Sequence, residues 1–238
     1  MGLILPKHNL SRRQLIQWSG LAGAGLFLNS CGSTFASDEV GQFTEPLNQV
    51  VQDLMTSQHP VPEFSASQIE PDALLINTFG ITPHLDPIKF RLSVAGEVNN
   101  PMQLSMAEIE QMPLTSMVIR HVCVEGWAAI VQWGGVRLRD LIALAQPKSS
   151  ARYVFFKSAD GYYESWDLKS SLHPQTLLAY QKNGQPLPIA NGAPLRLASP
   201  IKLGYKQSKW VTEVLLLNEL TPRKGYWEDQ GYEWFAGV

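Results

Sequence analysis

Cysteine is almost absent from this chain: Cys31 and Cys123 are the two in 238 residues. With Cys31 inside an N-terminal leader, Cys123 is left without an intramolecular disulfide partner, so no disulfide framework can organise the fold. Charge is also sparse, at 17% of residues with a formal net charge of −2. That balance excludes the basic face that polyanion binding requires, and nucleic acid is not an expected partner. No apolar run approaches the roughly 20 residues of a membrane-spanning helix. The sequence also lacks GxGxxG, a Walker loop, HExxH, CxxCH and any internal repeat. Dinucleotide binding, a P-loop, a zinc hydrolase site and covalent c-type haem are therefore not expected.

What is present is ample core material, 45% apolar and 10% aromatic residues, enough for one large domain. Residues 1–31 read as a targeting signal. Lys7, Arg12 and Arg13 stand without any acid before the apolar stretch Trp18 to Leu28, and Asn29-Ser30-Cys31 follows. The Arg12-Arg13 pair resembles a twin-arginine export signal, and Leu28 to Gly32 resembles a lipobox whose Cys31 would carry a lipid anchor. Cleavage after Ala36 is the alternative. The reading is an exported, periplasmic or extracytoplasmic protein.

Residues 32–71 read as a tether and N-terminal extension, with one helical stripe at Leu47, Val50, Val51 and Leu54. From residue 72 to 220 the pattern is mostly strand with short helical insertions. Phe90, Leu92 and Val94 alternate before Gly96. Ser105-Met-Ala-Glu108 is a capping box that starts a helix, and Leu138, Leu141, Ile142 and Ala145 form the apolar face of another ended by Pro147. Strands are expected at 117–122, 153–156, 195–198 and 210–217, with a hairpin turn at Asn183-Gly184. The fold class is α+β, with mixed sheets and short helices. Residues 221–238 form an acidic, aromatic tail that either packs on the domain or meets a redox partner.

The chemistry concentrates in two segments. In Ile119-Arg-His-Val-Cys-Val-Glu-Gly-Trp127, the thiol of Cys123 follows a strand and enters a loop, a setting that presents side chains to a site. A free cysteine is by default a buried core residue, so a nucleophile, a metal ligand and inert packing all stand open. Arg120 and His121 are the neighbours expected to lower its pKa, although strand alternation points them to opposite faces. The second segment runs from Asn191 to Lys209. Its glycines permit close approach to a ligand, and Arg196, Lys202, Lys206 and Lys209 offer donors for an anion, or else a solvated basic face.

In this order, Cys-Val-Glu-Gly-Trp at 123–127, Trp133-Gly-Gly-Val136, Ser158-Ala-Asp-Gly-Tyr162, His173-Pro174, Asn191-Gly-Ala-Pro-Leu-Arg196 and Gly204-Tyr-Lys-Gln-Ser-Lys209 resemble the molybdopterin-binding domain of the sulfite oxidase superfamily. Similarity is greatest to its bacterial exported members, which include the periplasmic methionine sulfoxide reductase catalytic subunit. The resemblance implies a molybdenum-molybdopterin cofactor, with Cys123 as the thiolate on the metal and Arg120 orienting substrate. Asn77, Ser158, Asn191, Arg196, Gln207, Ser208 and Lys209 would hold the pterin and its phosphate. It implies two-electron oxygen-atom transfer with a small-molecule or protein-bound oxide, in the direction of sulfoxide reduction, with sulfite oxidation as the alternative. Electrons would come from a separate redox partner, such as a membrane haem protein or a quinone-linked subunit. Two other readings are a Cys-His hydrolase using His84 or His173, which leaves the basic segment unexplained, and a cofactor-free binding lipoprotein.

Overall fold

The computed structural model describes residues 59–238. The export signal, Cys31 and the amphipathic stripe at 47–54 lie outside the described residues. Two five-stranded sheets carry the fold. The first runs β2 (Met102–Leu104), β1 (Leu92–Gly96), β10 (Val211–Leu217), β5 (Tyr153–Ser158), β6 (Tyr163–Asp167). The second runs β3 (Thr115–Val122), β4 (Ala128–Arg137), β7 (Leu177–Lys182), β8 (Gln185–Pro186), with β9 (Arg196–Ala198) also on β7. β1 and β10 pair in parallel and the other pairs are antiparallel. These are the mixed sheets with few short helices that the sequence pattern calls for.

Local sequence explains most elements. Ser105 caps α1 (Met106–Glu110), its hydroxyl accepting from the Glu108 amide while the Glu108 carboxylate accepts from the Ser105 amide. In α2 (Leu138–Ala145) the four stripe residues are fully buried, each large one contributing about 1.5–3 kcal/mol by leaving water. They join Leu92, Val94, Val154, Phe156, Trp166 and Val214 in the larger core. Asn183 and Gly184 turn the β7–β8 hairpin with φ of 51° and 73°, the left-handed pair that suits the twist of the strands. A third, one-turn helix, α3 (Leu168–Ser171), is capped by the Asp167 carboxylate.

Three strands lie outside the sequence expectations, as α3 does: β2, β6 and the ten-residue β4. Strand β4 sits between β3 and β7, so nine of its ten residues are buried or half-buried, with no alternation to read. Gly134 and Gly135 in its middle look like a break. They are required instead by close approach, because a Cβ on Gly135 would stand 2.1 Å from the Leu178 carbonyl oxygen.

The extension expected to end at residue 71 lies along the second sheet. The Phe64 amide donates to Val118 O and the Glu70 amide to Ile130 O, both at 2.9 Å. The Glu63 and Glu70 carboxylates accept from the amides of Val118 and Ile130. Backbone groups that β3 and the start of β4 would otherwise expose are thereby covered. No helix among the described residues is long and apolar enough to cross a membrane.

Candidate functional site

Strand β3 ends at Val122, and Cys123 opens the turn into β4, with its amide donating to Trp127 O at 2.9 Å and its carbonyl accepting from Gly126 N. That hairpin places the thiol at the edge of a cavity of about 500 Å³. Asn77, Asn191, Arg196, Gln207, Ser208 and Lys209 line the same cavity. Stretches separated by more than a hundred residues thus converge on one sulfur atom. Backbone bonds explain how the two halves of the Asn191–Lys209 segment come together: Leu197 N donates to Ser208 O, Val211 N to Leu195 O, and Trp210 N to Gly192 O. Gly192, at φ 112°, is the hinge of this arrangement. A Cβ there would lie 2.9 Å from Lys209 Cβ and 3.0 Å from Arg196 Cβ.

Electrostatics separate the cations of this segment into two kinds. Arg196 is buried, stacks 4.4 Å from the Trp133 ring and donates to the backbone oxygens of Asn191 and Leu197, with no ion pair. Burial pushes its pKa down to about 9. Lys209 is pushed down to about 8 by burial and then by Arg196, and its ammonium rests on Asn77 O. Both cations face the cavity and neither forms an ion pair, although Asp160 on the same lining partly offsets the shift of Lys209.

Lys202 and Lys206 are different and correct the expected anion cradle. Lys206 is fully buried between the carboxylates of Glu164 and Glu228 and donates to Ser165 O at 3.1 Å. Lys202 lies 3.5 Å from Asp167 Oδ2 and donates to Phe235 O at 2.5 Å. Neither lines the cavity; they are internal fasteners.

Further corrections concern the neighbours of the thiol. Arg120 does not line the cavity: alternation along β3 sends it to the exposed face, where its guanidinium lies 5.0 Å from the Phe64 ring centre. Its predicted place beside the substrate is not the one the fold gives it. His121 turns inward, lines the cavity and is pushed down to about 3 by burial and then by Arg196. It is a neutral imidazole, so neither residue lowers the thiol. The Cys123 pKa is raised, by burial first, and its sulfur lies 3.7 Å from Glu125 Oε2.

The Glu125 carboxylate also accepts from Trp127 Nε1 and Asn77 Nδ2. Gln207 braces the loop through Ser199 and Lys202 carbonyls while lining the cavity. Ser158 is buried beneath and does not line it; the same β5–β6 turn contributes Asp160 and Tyr162. His84 is exposed and His173 is buried against His59 O at 3.3 Å, so neither meets the thiol as a hydrolase base would.

Sequence reasoning also missed the rings from the tail: Tyr226, Trp227 and Tyr232 line the cavity. The tail packs on the domain, and its aromatic density was the signal that could have suggested it.

The donor set can be tested against a bound group. Among the described residues no cluster of three or more His, Cys, Asp or Glu side chains is placed to hold a metal ion. A metal relying on protein ligands alone has nowhere to sit, whereas one that arrives with its own soft ligands needs a single thiolate. The buried Arg196 and the half-buried Lys209, neither in an ion pair, and buried Ser208 Oγ and His121 Nδ1 atoms without partners, call for a polar anionic ligand. The site is that of a protein that binds an anionic, metal-bearing cofactor in a cavity.

The comparisons place it more closely. Residues 79–227 match the family described as oxidoreductase molybdopterin binding domain, and the chain belongs to that family. Its cofactor class is molybdenum-molybdopterin. The chain is 43% identical over 153 residues to a protein of Azospira oryzae named as a protein-methionine-sulfoxide reductase subunit, YedZ1, covering 64% of this chain and 58% of that one. It is 32% identical over 169 residues to the protein-methionine-sulfoxide reductase catalytic subunit MsrP of Campylobacter jejuni, covering 63% and 56%. The Burkholderia mallei protein of the same name is 31% identical over 240 residues, covering 89% and 70%. Against the first two, the chain spans somewhat more than half their length. The sulfane dehydrogenase SoxCD from Paracoccus pantotrophus shares the fold, with a TM-score of 0.55 at 21% identity over 58% of this chain and 40% of that one.

Proposed function

We propose that this chain is an exported molybdenum-molybdopterin oxidoreductase that reduces a sulfoxide, of the methionine sulfoxide kind, to its thioether. The observation that carries the reading is the Cys123 thiol sharing one cavity with the unpaired cations Arg196 and Lys209. The names of the relatives support the substrate class. When bound, the cofactor would supply a two-electron reductant that takes up the oxygen atom. Two electrons and two protons convert sulfoxide to thioether and water.

The protein's part is positioning. Cys123 would hold the metal as a thiolate, and the metal's charge would offset the burial that otherwise favours the neutral thiol. Arg196 and Lys209 would hold the cofactor's anionic group, with Asn191 and Ser208 as hydrogen-bonding neighbours. Gln207 holds the loop that carries them. Asn77 orients Glu125, a carboxylate within reach of the thiol. His121, neutral and buried, presents a ring nitrogen without adding charge. Arg120 has no part in this arrangement.

Electrons reach the site from a separate redox partner, a membrane haem protein or quinone-linked subunit, a role supported by the word subunit in the relatives' names. Arg12-Arg13 directs export of the folded protein to the periplasm, and Cys31 carries a lipid anchor.

Protein purified from cells that make the cofactor should carry molybdenum near one atom per chain and turn over methionine sulfoxide with a reduced dye. Cys123→Ser should lose the metal while keeping its near-ultraviolet circular dichroism. Wild-type protein with less than about a tenth of an atom per chain would reject the proposal.

A further inference from the structure

The tail from Gly225 to Phe235 carries three acids, Glu228, Asp229 and Glu233, and no base. Three of its rings line the cavity, and two of them, Trp227 and Tyr232, remain 37% and 41% exposed. Rings that face both a cavity and solvent stand at its opening. They form a continuous surface: Tyr226 lies 5.2 Å from Trp227, and Trp227 lies 5.1 Å from Tyr232, all between ring centres. Phe79 extends it inward at 4.5 Å from Tyr226.

This surface is held in place. Lys206 grips Glu228, Lys202 donates to Phe235 O, and Trp234 Nε1 donates to Ser165 Oγ at 2.9 Å. The Tyr226 amide donates to Tyr163 O at 3.1 Å. Two fully buried lysines and two backbone anchors make the tail a fixed wall rather than a mobile lid.

The cavity lining therefore divides into two groups of opposite character. Arg196 and Lys209 belong to the segment assigned above to the cofactor. The tail offers aromatic faces whose acids are tied elsewhere, Glu228 to Lys206 and Asp229 to Arg223, so it presents ring surface that favours contact with sulfur and methyl groups and gives an oxyanion no counter-charge. We infer that the tail wall of Tyr226, Trp227 and Tyr232 is the substrate subsite and selects a neutral methyl-sulfur oxide over a sulfur oxyanion such as sulfite. The inference rests on the sulfoxide reading and adds the residues that decide it.

Methionine sulfone, neutral and not reducible by oxygen transfer at the same sulfur, is the probe. Its Kd for the holoenzyme is measured by calorimetry, alongside KM for methionine sulfoxide. Trp227→Ala and Tyr232→Ala should each raise both constants at least about fivefold, the loss of one sulfur–aromatic contact, with kcat within about twofold of wild type. Trp227→Phe, which keeps an aromatic face, should restore most of the affinity. Affinity unchanged in both alanine variants, or a Phe variant as weak as the alanine one, overturns the assignment. Molybdenum content of the same preparations reports on the cofactor reading separately, and the wall substitutions should leave it unchanged.

Discussion

Arg196→Met in the cofactor-free protein measures what this cation is for. Displacement of the Arg196 pKa from 12.5 to about 9 corresponds to about 5 kcal/mol against the charged form. Against that stand the stack on Trp133 at 4.4 Å, worth about 1–2 kcal/mol. Two charge-assisted bonds to backbone oxygens at 3.0 and 3.1 Å add about 1.5–3 kcal/mol each. The terms nearly cancel, so replacing the guanidinium by an apolar chain of similar length should change unfolding stability by less than about 2 kcal/mol. Lys206→Met is the contrast. It strands the Glu164 and Glu228 carboxylates together in the interior and should destabilise by about 3–5 kcal/mol. Urea titration of both variants, made without cofactor, gives the two numbers directly. In cells that make the cofactor, Arg196→Met should cut molybdenum loading at least about tenfold. If Arg196→Met costs as much as Lys206→Met without cofactor, Arg196 is a structural fastener and the anion-receiving argument fails.

Burial raises the Glu164 pKa well above its ordinary value, while Lys206 pulls it back and Glu228 pushes it up again. A carboxyl with a raised folded pKa contributes stability that is complete below about 4.5 and is lost as pH rises towards the folded value. Glu164→Gln should therefore flatten the pH dependence of the urea midpoint above pH 4.5; an unchanged slope would refute it. Gly192→Ala forces a side chain into positive φ between Lys209 and Arg196. It should destabilise by about 2 kcal/mol or more and reduce molybdenum loading, as thermal unfolding and metal analysis would show. Arg120→Ala should leave kcat/KM for methionine sulfoxide within about twofold of wild type, because the side chain lies outside the cavity; a tenfold loss would restore it to the site.

Local rules made much of this fold legible. A capping box, a four-residue apolar stripe and an Asn-Gly turn each act within a few residues, so Ser105, Leu138 to Ala145 and Asn183-Gly184 announce themselves. β4 is hidden because neighbours on both sides erase the alternation that marks a half-buried strand, and because its glycines answer to the Leu178 carbonyl on another strand. The same division runs through the site. Cys123, Asn191, Arg196, Gln207, Ser208 and Lys209 come together in the cavity as their motif order implies. Lysine positions carry no such information: Lys202 and Lys206 sit in the same segment as Lys209, yet their acid partners, Asp167, Glu164 and Glu228, come from β6 and the tail. Arg120 was decided by strand alternation alone, a rule that outranks proximity in sequence.

The buried charges also say how loading and folding are related. Lys206 is neutralised from within, by carboxylates that the chain itself supplies, so the wall it fastens exists before any ligand arrives. Arg196 and Lys209 are not, and the desolvation of their charges is offset by carbonyls and rings rather than by acids. A ligand that brings negative charge binds the folded chain and not the unfolded one, and stabilises it by RT ln(1 + [L]/Kd). With a concentration a thousandfold above Kd this is about 4 kcal/mol. The aromatic wall is thus fastened by charges within the chain, whereas the cationic wall gains further stability from a ligand that brings negative charge. That division suits a protein proposed to cross a membrane already folded, with its cofactor in place.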